Sequence, residues 1–410
     1  MAKDFLTMDD FDFSNKTALV RVDINCPVDD KGMLMESERL LAHAATIKEL
    51  SDKGARVVVL AHQGRPGDKD FLPLQQHAVF LSKHVGKKVE YVDTVYGPPA
   101  LEKIQLLKPG DVLLLENVRY AEEEMRDGSP DELAHTPLVQ QLSSVCDVFV
   151  NDAFSAAHRG QASLVGFAYV LPSCAGRVMQ AEVENISRVA TNPQRPNVYV
   201  LGGAKPDDVY KLMKNNLDNG KVDKVLVSGV LGNLVLLSKG VDVGKKTRDF
   251  LTAKGFDKIL PKVQETVRRH GGKIVAPVDL AYEDVGQRKE APVSNLPPDK
   301  DFKDIGWKTI ELFKKEIAAA KSLYLKGPQG VFEEPLFETG SRETMKAVAA
   351  NQQAFSLMGG GHTEVALQKF GIDKSKISYV SLAGGALLTL LAGEPMPALD
   401  ALKHAAQRQK

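Results

Sequence analysis

Cysteine is scarce in this chain, and Cys26, Cys146 and Cys174 stand far apart, with no C-x-x-C pair and no even set. That excludes a disulfide framework and a paired-cysteine metal site, and it suits a reducing cytoplasm. Net charge is missing as well: 53 basic residues are matched by 53 acidic ones. No global cationic field exists to draw nucleic acid or an acidic membrane. No apolar run approaches membrane-spanning length, and the opening Met-Ala-Lys-Asp-Phe-Leu lacks the apolar core of a signal peptide. Several signatures are absent too. No G-x-G-x-x-G follows a strand pattern, and neither G-x-S-x-G nor H-E-x-x-H occurs. The run from Gly240 to Thr247 imitates a phosphate loop, but three residues rather than four separate its glycines. The expectation is a cytoplasmic protein without nucleic-acid or membrane partners, in which any anion is held by local clustering.

What is present has the composition of a globular protein, 43% apolar and 26% charged. At 410 residues it is too long for one comfortable core, so two domains are expected. Short β-branched runs alternate with helical patterns, the rhythm of a parallel sheet with helical crossovers. In the first half the strands fall near 16–23, 56–60, 89–92, 111–115 and 148–150. Ser37 predicts the cap of a helix carrying Leu40, Leu41, Ala44, Ile47 and Leu50, and further helices are expected over 73–84 and 131–144.

Four of those strands run into a polar tip: Asp23/Asn25, His62/Arg65, Asn117/Arg119 and His158/Arg159. Arg39, in the first turn of the first helix, falls near the same rim. One such exit is an ordinary strand-to-loop turn with a surface arginine. Four are a pattern, because ligands in open α/β sheets sit beyond the carboxyl ends of the strands. Converging guanidinium forks imply a small, multiply charged anion.

A helical stretch over 176–190 connects to a second half that starts again. Strand 197–201 runs into Gly202-Gly203-Ala204-Lys205, and strand 222–227 into Ser228-Gly229. Strands are also expected over 273–276, 322–325, 354–358 and 377–381. The last three enter Lys326-Gly327-Pro328, Gly359-Gly360-Gly361-His362-Thr363 and Ala383-Gly384-Gly385. The charged, proline-bearing stretch 284–303 is expected to be an irregular excursion. Glycines at strand-to-helix turns let backbone N–H groups approach phosphate, with the helix N-terminus adding partial positive charge. The pairing suggests a nucleotide facing a small phosphorylated acid.

These motifs, taken in order, resemble the phosphoglycerate kinase family over essentially the whole chain. They are Arg21-Val22-Asp23-Ile24-Asn25-Cys26-Pro27, His62-Gln63-Gly64-Arg65-Pro66, Leu115-Glu116-Asn117-Val118-Arg119-Tyr120, Val150-Asn151-Asp152-Ala153-Phe154 with Ala157-His158-Arg159, Gly202-Gly203-Ala204-Lys205, Gly327-Pro328-Gln329-Gly330-Val331-Phe332-Glu333, and Gly359-Gly360-Gly361-His362-Thr363. The resemblance implies an α/β protein of two Rossmann-like domains with parallel sheets and helices on both faces, joined by a hinge helix around a central cleft. Residues 1–174 would bind phosphoglycerate, 175–192 form the hinge helix and 193–390 bind nucleotide, with 391–410 packing back on the first domain. It further implies reversible phosphoryl transfer from 1,3-bisphosphoglycerate to ADP. The alternative is a silent regulatory protein binding the same ligands on the same fold.

Carried over by position, Asp23, Asn25, Arg39, His62, Gln63, Gly64, Arg65, Arg119 and Arg159 would hold 3-phosphoglycerate or 1,3-bisphosphoglycerate. Gly202, Gly203, Lys205, Gly229, Glu333, Gly359, Gly360, Gly361, His362 and Thr363 would hold ATP or ADP with Mg2+. Arg39, Lys205 and the N–H of Gly384 would meet the moving phosphoryl group. A monomer is the favoured state, and the metal ligands are left unassigned. The chain departs from the commonest family pattern in four places. His362 replaces an aspartate, as in the archaeal branch, and Val209 replaces a second nucleotide-contacting lysine. Lys326 replaces an asparagine, and Leu382-Ala383 replace Thr-Gly.

Overall fold

The computed structural model describes residues 4–409. They divide into two compact units: one runs to Val183 and takes up the chain again from Pro395, and the other is Glu184–Glu394.

The first unit is built on six strands, β1 (Thr17–Arg21), β2 (Arg56–Leu60), β3 (Val89–Tyr91), β4 (Val112–Leu114), β5 (Val148–Asn151) and β6 (Ser173–Ala175). They pair in parallel in the order β3-β4-β2-β1-β5-β6. All five residues of β1 are buried, which is why these strands read as continuous apolar runs and not as alternation. Register lines up their carboxyl ends. Arg21 lies opposite Leu60 and Asn151, and Val59 opposite Leu114, so Asp23, His62, Asn117 and Asp152 leave the sheet along one rim.

Helix Glu38–Asp52 packs beneath that rim, its start capped by Ser37, whose Oγ accepts from Leu40 N at 3.2 Å. The single helix expected over 131–144 is two, Pro130–Ala134 and Pro137–Ser143. Pro137 lacks an N–H and its ring blocks the turn before it, so the first helix must end and a second begin.

The closing helix, Pro397–Arg408, belongs to this first unit. It is tied by Ala398 N donating to Ala157 O at 3.1 Å and by His404 stacking on Tyr169 at 4.1 Å. Helix Arg177–Ala190 runs through the division between the units. Asp152 holds its first turn, with Oδ1 accepting from Val178 N at 2.7 Å and Met179 N at 3.2 Å.

The second unit carries β7 (Asn197–Leu201), β8 (Lys224–Val227), β9 (Ile274–Val275), β10 (Asp279–Asp284), β11 (Gln287–Pro292), β12 (Phe302–Ile305), β13 (Ser322–Lys326), β14 (Phe355–Gly359) and β15 (Tyr379–Ser381). Its main sheet, β15-β14-β13-β7-β8-β9, is wholly parallel. Winding starts at β7, goes outward one way through β8 and β9, and returns to the other side through β13, the dinucleotide-fold order. The switch point is therefore between the ends of β7 and β13, where Gly202 and Gly327 stand.

The stretch 284–303 is not the irregular excursion expected. It supplies β11 and the start of β12, which flank β10 in a three-stranded antiparallel sheet. Val285 and Gly286 form its two-residue hairpin turn with φ of 51° and 74°. Positive φ at both central positions is what such turns demand, normally met by Asn-Gly. A valine there hid the hairpin.

Candidate active site

Along the first unit's rim the sequence brings cations together faster than it brings counter-charges. Arg39 Nη1 reaches Asp23 Oδ2 at 3.3 Å, and Ser155 donates to the same oxygen. Burial alone would raise Asp23, but the Arg39 charge and that hydroxyl act the other way, and the carboxylate is held low and ionised. Arg119 is pulled down to about 10 by burial and by the charges of Arg159 and Arg21, which still leaves it cationic at neutral pH. Burial and then Arg65 lower Arg159 in the same direction. Guanidiniums that weaken one another's protonation are a site waiting for an anion.

Arg21, quoted above only as part of a motif, proves to be an organiser of this rim. It is fully buried, with Nε on Ser163 Oγ at 2.9 Å, Nη2 on His62 Nδ1 at 3.1 Å, and Glu124 Oε1 at 4.0 Å. A guanidinium only donates, so Nδ1 of His62 must accept and the imidazole's proton sits on Nε2. Burial, aided by Arg21, Arg119 and Arg159 against the pull of Asp23, keeps His62 well below its usual pKa and neutral. His62 thus offers one fixed N–H donor. Nothing in the sequence marks Glu124 or Ser163 as partners, since they lie about a hundred residues or more from Arg21.

The neighbouring residues divide into two groups. Asn25 Oδ1 accepts from Gly64 N at 2.8 Å, and Arg119 donates to Gly64 O. A side chain on Gly64 would meet the Asp70–Phe71 backbone at 2.4 Å, so only glycine fits. Gln63 has its amide engaged by Cys26 N at 2.9 Å, Cys26 O at 3.0 Å and Asp70 O at 3.2 Å. Its side chain braces the loop. Arg65 is exposed and Arg159 half-buried.

In the second unit the glycine turns touch main chain to main chain. A Cβ on Gly202 would lie 2.3 Å from Pro328 O, one on Gly229 2.7 Å from Gly203 O, and one on Gly327 2.6 Å from Gly202 O. This closeness leaves two cavities with a shared wall of Gly203, Ala204, Pro328 and His362. One, of about 430 Å³, has Gly202, Gly203, Lys205, Gly360, Gly361, His362, Thr363 and Gly384 on its lining, and also Lys326 and Asp208. Helices Pro206–Asp218 and Gly361–Lys369 begin there, an arrangement in which free N–H groups are able to donate to an anion.

The other cavity, of about 310 Å³, is largely apolar, with Phe250, Pro277, Leu280 and Phe302 beside Gly229 and Glu333. Its shape suits a nucleobase and ribose. Gly359 lines neither: it ends β14, and a Cβ there would meet Leu387 at 2.3 Å, so its role is packing. The sequence reading missed the apolar wall because Phe302 comes from the antiparallel sheet and Phe250 from no strand end.

The phosphoglycerate kinase family profile matches residues 8–394. A phosphoglycerate kinase of Methanothermobacter thermautotrophicus is 45% identical over 401 residues, covering 98% of this chain and 97% of the relative. The chain belongs to the phosphoglycerate kinase family. Another phosphoglycerate kinase, from Methanopyrus kandleri, is 45% identical over 402 residues and covers 98% of each chain. The crystal structure of phosphoglycerate kinase from Pyrococcus horikoshii OT3 superposes with a TM-score of 0.89 at 38% identity, over 99% of this chain and 100% of that one. This chain is accordingly a kinase, and the relatives named here are archaeal phosphoglycerate kinases, the branch the His362 motif resembles.

Proposed function

We propose that the chain catalyses reversible phosphoryl transfer between 1,3-bisphosphoglycerate and ADP, giving 3-phosphoglycerate and ATP. The observation that carries this is the crowd of mutually repelling guanidiniums, Arg21, Arg65, Arg119 and Arg159, around one neutral imidazole donor, with Arg39 on Asp23 beside them. In the reverse direction a carboxylate oxygen of 3-phosphoglycerate attacks the γ-phosphorus of ATP. The bond from that phosphorus to the bridging oxygen breaks, and ADP leaves with the electron pair. A carboxyl group of ordinary pKa, about 4, is already ionised, so no general base is needed. His62 is neutral and committed to donation, and burial pushes the thiols of Cys26, Cys146 and Cys174 upward, so no covalent intermediate suggests itself. What remains is positioning and charge stabilisation.

In this reading Arg39 and Lys205 meet the moving phosphoryl group from the acid side and the nucleotide side, with the N–H of Gly384 nearby in the nucleotide cavity. Arg65 and Arg159 grip the distal phosphate of the acid. Mg2+ would arrive with the nucleotide, neutralising phosphate charge. Among the described residues no group of three His, Cys, Asp or Glu could cage a metal, and Mg2+ prefers phosphate oxygens and water to such a cage. Among the described residues no helix is long and apolar enough to cross a membrane. We take the enzyme to work in the cytoplasm, which cell fractionation would contradict if activity sedimented with membranes.

The deciding experiment is incubation with MgATP and 3-phosphoglycerate in the presence of hydroxylamine, which traps an acyl phosphate. Hydroxamate formation supports the kinase; ligand binding without hydroxamate would mark a silent binding protein. Arg159→Ala is expected to raise KM for 3-phosphoglycerate roughly 10- to 100-fold, the loss of one charge-assisted contact, with a much smaller change in kcat. A kcat collapse at unchanged KM would contradict its gripping role. Since the two candidate sites belong to different units, direct transfer also needs them brought together and water excluded. Small-angle scattering should therefore record a smaller radius of gyration with both substrates than with either alone. An unchanged radius would remove this closure step.

A further inference from the structure

Lys326 is the last residue of β13, in register with Leu201 of β7 and Gly359 of β14. It therefore sits at the centre of the sheet's carboxyl edge, at the switch point. Its side chain is half-buried and lines the larger cavity with Lys205, the glycine turns and Gly384. Among the described residues its ammonium has no hydrogen-bond or ion-pair partner, although lysines this buried are ordinarily paired. The helix that follows Lys205 puts no second cation on this cavity's lining: Val209 is 1% exposed and packs inward, and Lys211 and Lys214 pair with Glu394 and Asp218. A positive charge has been placed at the strand end and not on the helix.

We propose that Lys326 binds a phosphate of the nucleotide, and that its ammonium takes up a proton as that phosphate arrives. This rests on the nucleotide reading of the cavity given above. The titratable groups around it are few. Lys205 comes from the turn after β7, Asp208 from helix Pro206–Asp218, and His362 from the start of helix Gly361–Lys369. Burial strips water from the ammonium, Asp208 compensates only partly, and Lys205 repels it, so the group falls to about 8. An incoming phosphate supplies the missing counter-charge and restores the full cation. Between the two states the protein gains a proton, and by linkage affinity for the nucleotide falls as pH rises through the free group's pKa.

The test is calorimetric titration of the full chain with MgADP at pH 8, in two buffers of different ionisation enthalpy, which counts protons per nucleotide bound. Wild type should take up about half a proton, because a group of pKa near 8 is half-charged at that pH. Lys326→Met should bind about 10- to 100-fold more weakly and take up close to none. Lys326→Arg keeps a permanent charge, so it should bind within a few-fold of wild type, show no uptake, and lose the weakening of affinity above pH 8. Wild-type affinity and proton uptake in Lys326→Met would overturn the proposal. If that variant does not fold, unchanged uptake in Lys326→Arg would overturn it instead. Wild type that binds no MgADP would remove the nucleotide reading itself, a separate outcome from failure of the Lys326 assignment.

Discussion

Arg39→Ala, and separately Lys205→Ala, should each lower turnover at saturating substrates by about 10²–10³, the scale for removing one preorganised donor from a developing charge. Arg39 is the stronger case. It stands in the first turn of helix Glu38–Asp52, and its guanidinium is held by Asp23 at 3.3 Å before any substrate arrives. Asp23 is itself fixed by Ser155 and by Asn25 N at 3.1 Å. A donor oriented in advance needs little reorganisation during the reaction, which is why its removal should appear in kcat. The KM values should move much less, because the substrate's other phosphate keeps Arg65 and Arg159. A steady-state assay with both substrates varied checks this. Near-normal kcat in Arg39→Ala would withdraw its part in the transfer.

Arg288→Ala should be the most destabilising single change named here, and its cost should depend on pH. Asp304, its partner at 2.8 Å, has a side chain with no exposure to solvent. The carboxylate also accepts from Gly340 N at 2.8 Å and Ile305 N at 2.9 Å. Burial still outweighs these partners and raises it to about 6. The native state therefore binds this proton more tightly than the unfolded chain does. Asp304 contributes most stability below about pH 4, and that contribution is lost as pH rises from there through 6.

Above pH 6 the ionised carboxylate depends on Arg288. Removing the guanidinium should cost about 3–5 kcal/mol at pH 8, the penalty for stranding a buried charge. For a unit of this size that is a fall in Tm of roughly 10 °C. At pH 5, where Asp304 can take a proton, the fall should be clearly smaller. Arg288→Ala combined with Asp304→Asn should recover part of the loss at pH 8. Thermal melts of the wild type and these two variants at both pH values decide it, and an equal penalty at pH 5 and pH 8 would rule out the stranded carboxylate as the cause.

How much of this was legible beforehand follows from how local each signal is. Strands such as Thr17–Arg21 and Asn197–Leu201 are buried on both faces, so their apolar runs stand out without alternation. The rim residues Asp23, His62, Arg119 and Arg159 could be found because each follows a strand end within eight positions. What could not be read is pairing at a distance. Arg21 and Glu124 are a hundred residues apart, and neither motif announces the other. The antiparallel sheet was hidden by Val285 in a turn that usually takes asparagine, and by Pro297 and Pro298 before its last strand. Missing that sheet also meant missing Phe302 and Asp304 on the lining of the apolar cavity. Pro137, by contrast, was in plain view, and the single helix expected over 131–144 overlooked the break its chemistry dictates.

The return of the chain to its first unit at Pro395 bears on the order in which the protein can mature. Synthesis runs from the amino end, and domains generally fold as they emerge. Here the earlier-made unit lacks helix Pro397–Arg408 until all of the later unit has been made, leaving Tyr169 without His404 and Ala157 O without its donor. The later-made unit is continuous from Glu184 to Glu394. It can be finished while its predecessor on the ribosome is still missing its last wall, so birth order and completion order are reversed.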